Sequence, residues 1–183
     1  LKKKFLLTII IITIIAPVIA FAADDAGIIV LPSVTYRQQS GTLGGDEGVL
    51  SVDLRGGYKI ASGLYFGVIY QSTSGSGARS INGSAIGDSI GYFYGYFSLI
   101  ASYYLTAKNT ENTPTDYVAR TEGSGIQVDA AITIPIASGL SFGPMLTYQN
   151  MTYNKRQDTT GLILQAQQSE SYLYPFIAFA YQF

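Results

Sequence analysis

Tyr172-Leu173-Tyr174-Pro175-Phe176-Ile177-Ala178-Phe179-Ala180-Tyr181-Gln182-Phe183 closes the sequence. Counting back in twos from Phe183 gives Tyr181, Phe179, Ile177, Pro175 and Leu173. Every one is apolar or aromatic. A period of two belongs to a β-strand, whose successive side chains point to opposite faces. The stretch therefore predicts a strand with one apolar, aromatic-rich face.

The other end of the chain carries an export layout. Lys2, Lys3 and Lys4 precede an apolar run from Phe5 to Ile19, which Pro17 breaks. Ala20-Phe21-Ala22 then supplies small residues around a cleavage point. Together these read as a secretory signal peptide. The alternative is a single membrane anchor. The A-x-A site, with Asp24-Asp25 directly after it, favours cleavage. The expected division is a signal peptide over residues 1–22 and one exported domain over residues 23–183.

Composition excludes several chemistries. There is no cysteine, so no disulfide framework and no thiolate metal site. There is no histidine either. That removes Ser-His-Asp and Cys-His catalysis and the usual zinc sites. No enzyme activity and no cofactor are expected. With 11 basic and 12 acidic residues the net charge is −1. The basic footprint of a nucleic-acid binder is missing. About 160 residues remain after the signal peptide, enough for one domain. Eight strands of about 9–11 residues with their connections need that length.

A repeat gives the topology. Ile60-Ala61-Ser62-Gly63-Leu64 recurs as Ile136-Ala137-Ser138-Gly139-Leu140, and both copies run on into Phe-Gly (Phe66-Gly67, Phe142-Gly143). Val52-Asp53 upstream matches Val128-Asp129 at the same offset. Ala-Ser-Gly reads as a tight turn, its glycine free to take positive φ. Ile100-Ala101-Ser102 is a weaker third copy without the glycine. Three such turns divide the exported chain into four hairpins and eight strands.

The strands are expected near 28–37, 49–60, 64–73, 88–100, 103–110, 124–136, 140–152 and 164–183. The second shows the alternation best. Leu50, Val52, Leu54, Tyr58 and Ile60 share one face; Ser51, Asp53, Arg55 and Lys59 share the other. The sixth repeats it, with Ile126, Val128, Ala130, Ile132, Ile134 and Ile136 against Gln127, Asp129, Thr133 and Pro135. A membrane barrel turns its apolar face to lipid, whereas a soluble barrel turns it inward. The alternation alone fits both. The signal peptide, the aromatic terminus and the abundant tyrosines decide for the membrane. Tyr36, Tyr58, Tyr70, Tyr148 and Tyr181 are candidates for interfacial girdles. The fourth strand stays ambiguous. Counting from the expected turn points Tyr92, Tyr94 and Tyr96 to lipid, while chemistry prefers Phe93 and Phe97 there. A bulge would reconcile the two.

Four polar stretches are expected as long loops at one end: Gln38–Gly48, Ser72–Gly87, Asn109–Gly123 and Asn154–Gly161. The lumen gives a sharper expectation. The second and sixth strands of an eight-stranded ring lie across from each other. Asp53 and Asp129 stand equally far from equivalent turns, so both should point inward at one height. Side chains fill an interior of this width. Two unpaired aspartates there would repel, so a cation between them is expected. Asp53, Arg55 and Asp129, with Lys59 or Arg37 nearby, are therefore predicted to form an internal charge network.

The chain resembles the small eight-stranded outer-membrane proteins, OmpX and the transmembrane domain of OmpA. The resemblance rests on the signal peptide, the architecture and the last strand. It implies an all-β, antiparallel, up-and-down transmembrane barrel in the outer membrane of a Gram-negative bacterium. It implies lipid and lipopolysaccharide as surroundings. It also implies recognition of Phe183, Tyr181 and Phe179 by the barrel assembly machinery. The expected role is structural or one of surface interaction, in adhesion or envelope integrity, with a partner met through the loops. A narrow pore or a carrier for small apolar compounds, as in the OmpW-like group, is the alternative. Lipid A enzymes of this size use a histidine, which this chain lacks.

Overall fold

A computed structural model describes residues 26–40, 46–77, 80–112 and 117–183; the expected signal peptide lies outside them. The described chain forms β1 (Gly27–Ser40), β2 (Asp46–Lys59), β3 (Leu64–Ser76), β4 (Ser80–Tyr94), β5 (Phe97–Asn112), β6 (Tyr117–Ile132), β7 (Ile134–Ala137), β8 (Leu140–Gln157) and β9 (Ile163–Gln182). All pair antiparallel with their neighbours. β6 also pairs with β8, and β9 with β1, so the sheet closes on itself. β7 is the tail of β6 below a break at Thr133. The barrel thus has the expected eight walls.

The break has a local cause. Pro135 offers no backbone N–H. Thr133 N turns aside to donate to Tyr96 O at 2.8 Å. β7 runs past the start of β5 and pairs only with β8. The alternation expected through Ile136 therefore holds as far as Ala131, and all four residues of β7 are exposed.

The stagger of the ring follows from the register. Val30 pairs with Gly56, Gly56 with Val68, Val68 with Asp88, and Asp88 with Tyr103. The path continues through Ile126, Asn150 and Ser171. The β1–β9 register (Val30↔Tyr181, Val34↔Ile177) then brings it back level with Ser40, further up β1. Such stagger is what closing a tilted sheet requires.

The apolar face points outward. Leu54 is 47% exposed and its neighbour Arg55 1%. Val52, Tyr58, Phe66, Val68, Leu146 and Ile177 lie outside; Asp53, Gln71, Gln127, Asp129 and Gln149 lie inside. This is the reverse of a soluble barrel, and it answers the question that alternation left open. The five girdle tyrosines all face outward.

Two of the expected turns are present. Gly63 (φ 90°) and Gly139 (φ 71°) take the positive φ that only glycine adopts freely. The third is elsewhere: Gly95 (φ 56°) and Tyr96 join β4 to β5, and Ile100-Ala101-Ser102 lies inside β5. That copy lacks the glycine, and the chain turns where a glycine is available. The fourth strand consequently spans residues 80–94, not 88–100. Its ambiguity resolves with Tyr92 and Tyr94 outward and Phe93 inward, edge-on to Tyr65 with centroids 5.7 Å apart. A register shift does occur, at Ile86/Gly87 against β5, where Leu105 and Thr106 both face outward.

The strands also run further than expected into the polar stretches. Ser72↔Ser84, Thr73↔Gly83 and Ser74↔Asn82 continue the β3–β4 ladder. β5 reaches Asn112 before residues 113–116 lead into β6. Small polar residues, wetted on both faces, tolerate a ladder without an apolar pattern, so periodicity missed them.

Candidate functional site

The centre of the lumen is a polar network built from six strands. Asp53 and Arg55 come from β2, and Gln127 and Asp129 from β6. Alternation turns all four inward, where each is 1% exposed or less. Arg55 Nη2 donates to Asp129 Oδ2 at 2.5 Å and to Asp53 Oδ2 at 3.4 Å. The predicted cation between the two aspartates is therefore Arg55.

Amides and hydroxyls complete the coordination. Gln71 Nε2 donates to Asp53 Oδ1 (2.9 Å), and Thr147 Oγ1 to Asp129 Oδ1 (2.6 Å). Both donors stand opposite their aspartate in the neighbouring strand. The sequence separation is 18 residues in each case, so the repeat reaches into the network. Arg55 and Gln127 cross the bore in opposite senses. Arg55 reaches Asp129, and Gln127 Nε2 reaches Asp53 Oδ2 (2.8 Å). Above them Gln149 Nε2 donates to Gln71 Oε1 and Gln127 Oε1. Tyr104 donates to Gln127 Oε1 (2.7 Å), and Tyr174 to Gln149 Oε1 (2.9 Å). Apart from Arg55 Nε, the buried side-chain polar atoms of the network have partners, and groups so satisfied are stable in a bore shielded from water.

Gln71, Gln127, Thr147, Gln149, Tyr104 and Tyr174 were not anticipated as members. Gln127 was legible, since it shares a face with Asp129 two residues on. The others needed the cross-strand register. Lys59 and Arg37 sit elsewhere. Lys59 is buried near the turn end, six residues from Asp53 along β2, or about 20 Å of strand. Arg37 lies towards the loop end with its guanidinium over the rings of Tyr172 (4.7 Å) and Tyr174 (5.1 Å). It touches the network at one remove, through Tyr174. It also spans the closing seam, where Pro175 offers β1 no donor and Thr35 Oγ1 donates to Pro175 O (2.5 Å).

The rest of the bore is filled differently at its two ends. Towards the turns Ile29, Leu31, Tyr65 and Ile100 pack with Phe93 and Ala180 into an apolar floor. Towards the loops a cavity of about 240 Å³ opens, lined by Arg37, Lys108, Arg120, Glu111 and Glu170 among others. Arg120 pairs there with Glu111 and, at 3.6 Å, with Glu170.

The loop end is tied together. Lys155 pairs with Glu122, and Tyr117 N donates to Thr159 Oγ1 (2.8 Å). Asp158 Oδ1 accepts from Thr160 Oγ1 (2.6 Å), Thr160 N (2.9 Å) and Leu162 N (3.2 Å), which shapes the β8–β9 tip. Chiefly through the Thr160 hydroxyl, its carboxyl is held below the usual carboxylate range. At the other end Phe179, Tyr181 and Phe183 face outward. Phe179 stacks on Phe142, Tyr181 meets Phe183 edge-on at 4.5 Å, and Phe183 N donates to Ile28 O (3.0 Å).

Several solved structures are similar to this chain. The crystal structure of Neisserial surface protein A (NspA) matches with a TM-score of 0.52 at 15% identity, over 87% of this chain and 99% of that one. The beta domain of the Bordetella autotransporter BrkA matches at 0.46 and 11% identity, over 86% of this chain and 98% of its own. A major outer membrane protein from Thermus thermophilus matches at 0.44 and 16%, over 87% of this chain and 100% of its own. No protein-family model matches the chain, and no curated protein matches it by sequence. At 15% identity the likeness to NspA is one of fold. That fold is the closed antiparallel barrel of small outer-membrane proteins, as the resemblance read from the sequence implies.

Proposed function

We propose that the chain is an integral outer-membrane barrel acting as a closed anchor, with a structural or surface-interaction role carried by its loop end. The observation that carries the reading is the filled lumen. Between an apolar floor and a polar vestibule, Asp53, Arg55, Gln127 and Asp129 meet across the bore. The outward apolar face supports a lipid surrounding. The tied polar rim supports a surface presented to the exterior, where lipopolysaccharide, another cell or an envelope component is the partner class.

The competing reading is a narrow pore or a carrier for small apolar compounds. A continuous path through this bore would have to displace the Arg55 network, which is polar and buried. The purified barrel in planar bilayers is expected to give no stable single-channel steps. Reproducible steps would replace the anchor reading with the pore. Heat-modifiable migration and sedimentation with outer membranes test the location itself.

Insertion by the assembly machinery is assigned to the outward aromatics Phe179 and Tyr181 of β9 and to Phe183 directly after it. Changing Phe179, Tyr181 and Phe183 together to serine is expected to lower outer-membrane levels several-fold. Normal levels of that variant would remove the assignment.

A further inference from the structure

Asp88 faces outward from β4, inside the apolar band. Ile90, Tyr92 and Tyr94 flank it towards the turns, and Ile86 towards the loops; all four face outward with it. Its cross-strand neighbours, Val68 on β3 and Tyr103 on β5, are outward as well. Among the described residues, it is the one charged side chain on this face between the turn-end aromatics and Leu50, Leu105 and Leu173, and none of them engages its carboxylate in a hydrogen bond or ion pair. The inference rests on the membrane reading given above. In lipid such a group is costly, and an intramembrane acid marks a function with a partner to be named.

The surface around Asp88 is unlike the opposite wall. Ala101, beside Ile90, and Ala130, beside Leu99, are small residues on the outward face of β5 and β6. Across the ring Val34, Leu54, Leu146 and Ile177 fill the equivalent outward positions. Small residues let a second backbone approach closely within a membrane.

We propose that this β4–β5 face is where a second copy of the chain packs in the membrane, with the Asp88 carboxylate of each copy accepting a hydrogen bond from the Tyr103 hydroxyl of the other. Two copies inserted in the same sense are related by a two-fold axis along the membrane normal, which keeps every residue at its own depth. Acceptor and donor must then lie within side-chain reach of one depth on one face. Asp88 and Tyr103 are direct cross-strand partners, so on the tilted sheet they differ in depth by only about 3 Å, which is within side-chain reach. An axis passing between β4 and β5 sets Asp88 of each copy against Tyr103 of the other, so one patch supplies both halves of the contact. Any other occupant would have to bring its own donor to this depth.

The chain has no cysteine, so single cysteines report proximity cleanly. Ala101→Cys lies on the proposed face, and Val34→Cys on the opposite wall. With a short bifunctional thiol reagent in isolated outer membranes, Ala101→Cys is expected to give a cross-linked dimer several-fold above Val34→Cys. Adding Asp88→Val should abolish that excess. Valine suits a lipid-facing site, so the barrel should keep its heat-modifiable migration. Equal cross-linking at both positions, a dimer indifferent to Asp88→Val, or a product with the mass of a different protein would each overturn the proposal. A chain absent from outer membranes would instead overturn the membrane reading, and the dimer with it.

Discussion

Arg55→Leu is expected to lower the unfolding free energy by about 3–5 kcal/mol, the cost of stripping one partner from a buried ion pair. Leucine matches much of the volume, so the loss is mainly electrostatic. Asp53 and Asp129 would face each other across the bore with only the donors from Gln71, Gln127 and Thr147. Two like charges in a region of low dielectric repel strongly. Adding Asp129→Asn to Arg55→Leu removes one of them and should recover part of the loss. Arg55→Lys keeps the charge but gives up the planar fork, and an intermediate loss is expected. The chain has no tryptophan. Denaturant titration in detergent or vesicles is therefore best followed by far-UV circular dichroism and heat-modifiable migration. An unfolding midpoint unchanged by Arg55→Leu would show that the network does not hold the barrel.

Much of this site was legible because two copies of one pattern frame it. Ile60–Leu64 and Ile136–Leu140 set two turns, and Asp53 and Asp129 lie equally far upstream of them. Equal spacing from equivalent turns on opposite walls is enough to bring two side chains to one height. Arg55 follows from alternation. The limits were physical too. Nothing in alternation says which residue of β3 faces which residue of β2, so Gln71 could not be attached to Asp53. Lys59 shares the face of Asp53, but a strand carries it too far away. Arg37 is drawn instead to Tyr172 and Tyr174, at a seam whose ladder is weakened by a proline. The third turn failed because Ile100-Ala101-Ser102 matched in letters but lacked the residue that makes the turn. Strand ends were missed wherever small polar residues pair without an apolar face.

Asp88 shows the opposite case, a residue whose meaning appears only once the outward face is known. By sequence it opens the expected fourth strand, among Gly87, Ser89 and Gly91, with nothing to single it out. The register places it in line with Val68 and Tyr103, within the apolar band. A local break of this kind in an otherwise consistent pattern points to function more than to folding.

Gly143→Ala carries the second large expected effect, a loss of about 1–3 kcal/mol for forcing atoms into a filled space. Gly143 completes the repeated Phe-Gly and faces inward beside the break in β6. A Cβ there would lie 1.9 Å from Ile132 O and 3.1 Å from Thr133 Cα. Both are backbone atoms, held by Ile132 pairing with Phe97 and by Thr133 N donating to Tyr96 O. They cannot swing aside as a side chain would. Gly67, its counterpart in the repeat, lacks a Cβ for another reason. Tyr65 lies over it, and a Cβ would meet that hydroxyl at 2.2 Å as well as Gly56 O at 2.5 Å. The same dipeptide thus admits a crossing chain in one half of the barrel and a tyrosine in the other. Gly56 is the control, since a Cβ there meets nothing within 4 Å. Gly56→Ala should be neutral, or stabilising by about 0.4–1 kcal/mol through the unfolded chain. The comparison is made by denaturant midpoint under one set of conditions. Equal midpoints for Gly143→Ala and Gly56→Ala would mean that the β6 break can shift outward, and that the close approach of Ile132 to Gly143 is not needed to close the ring.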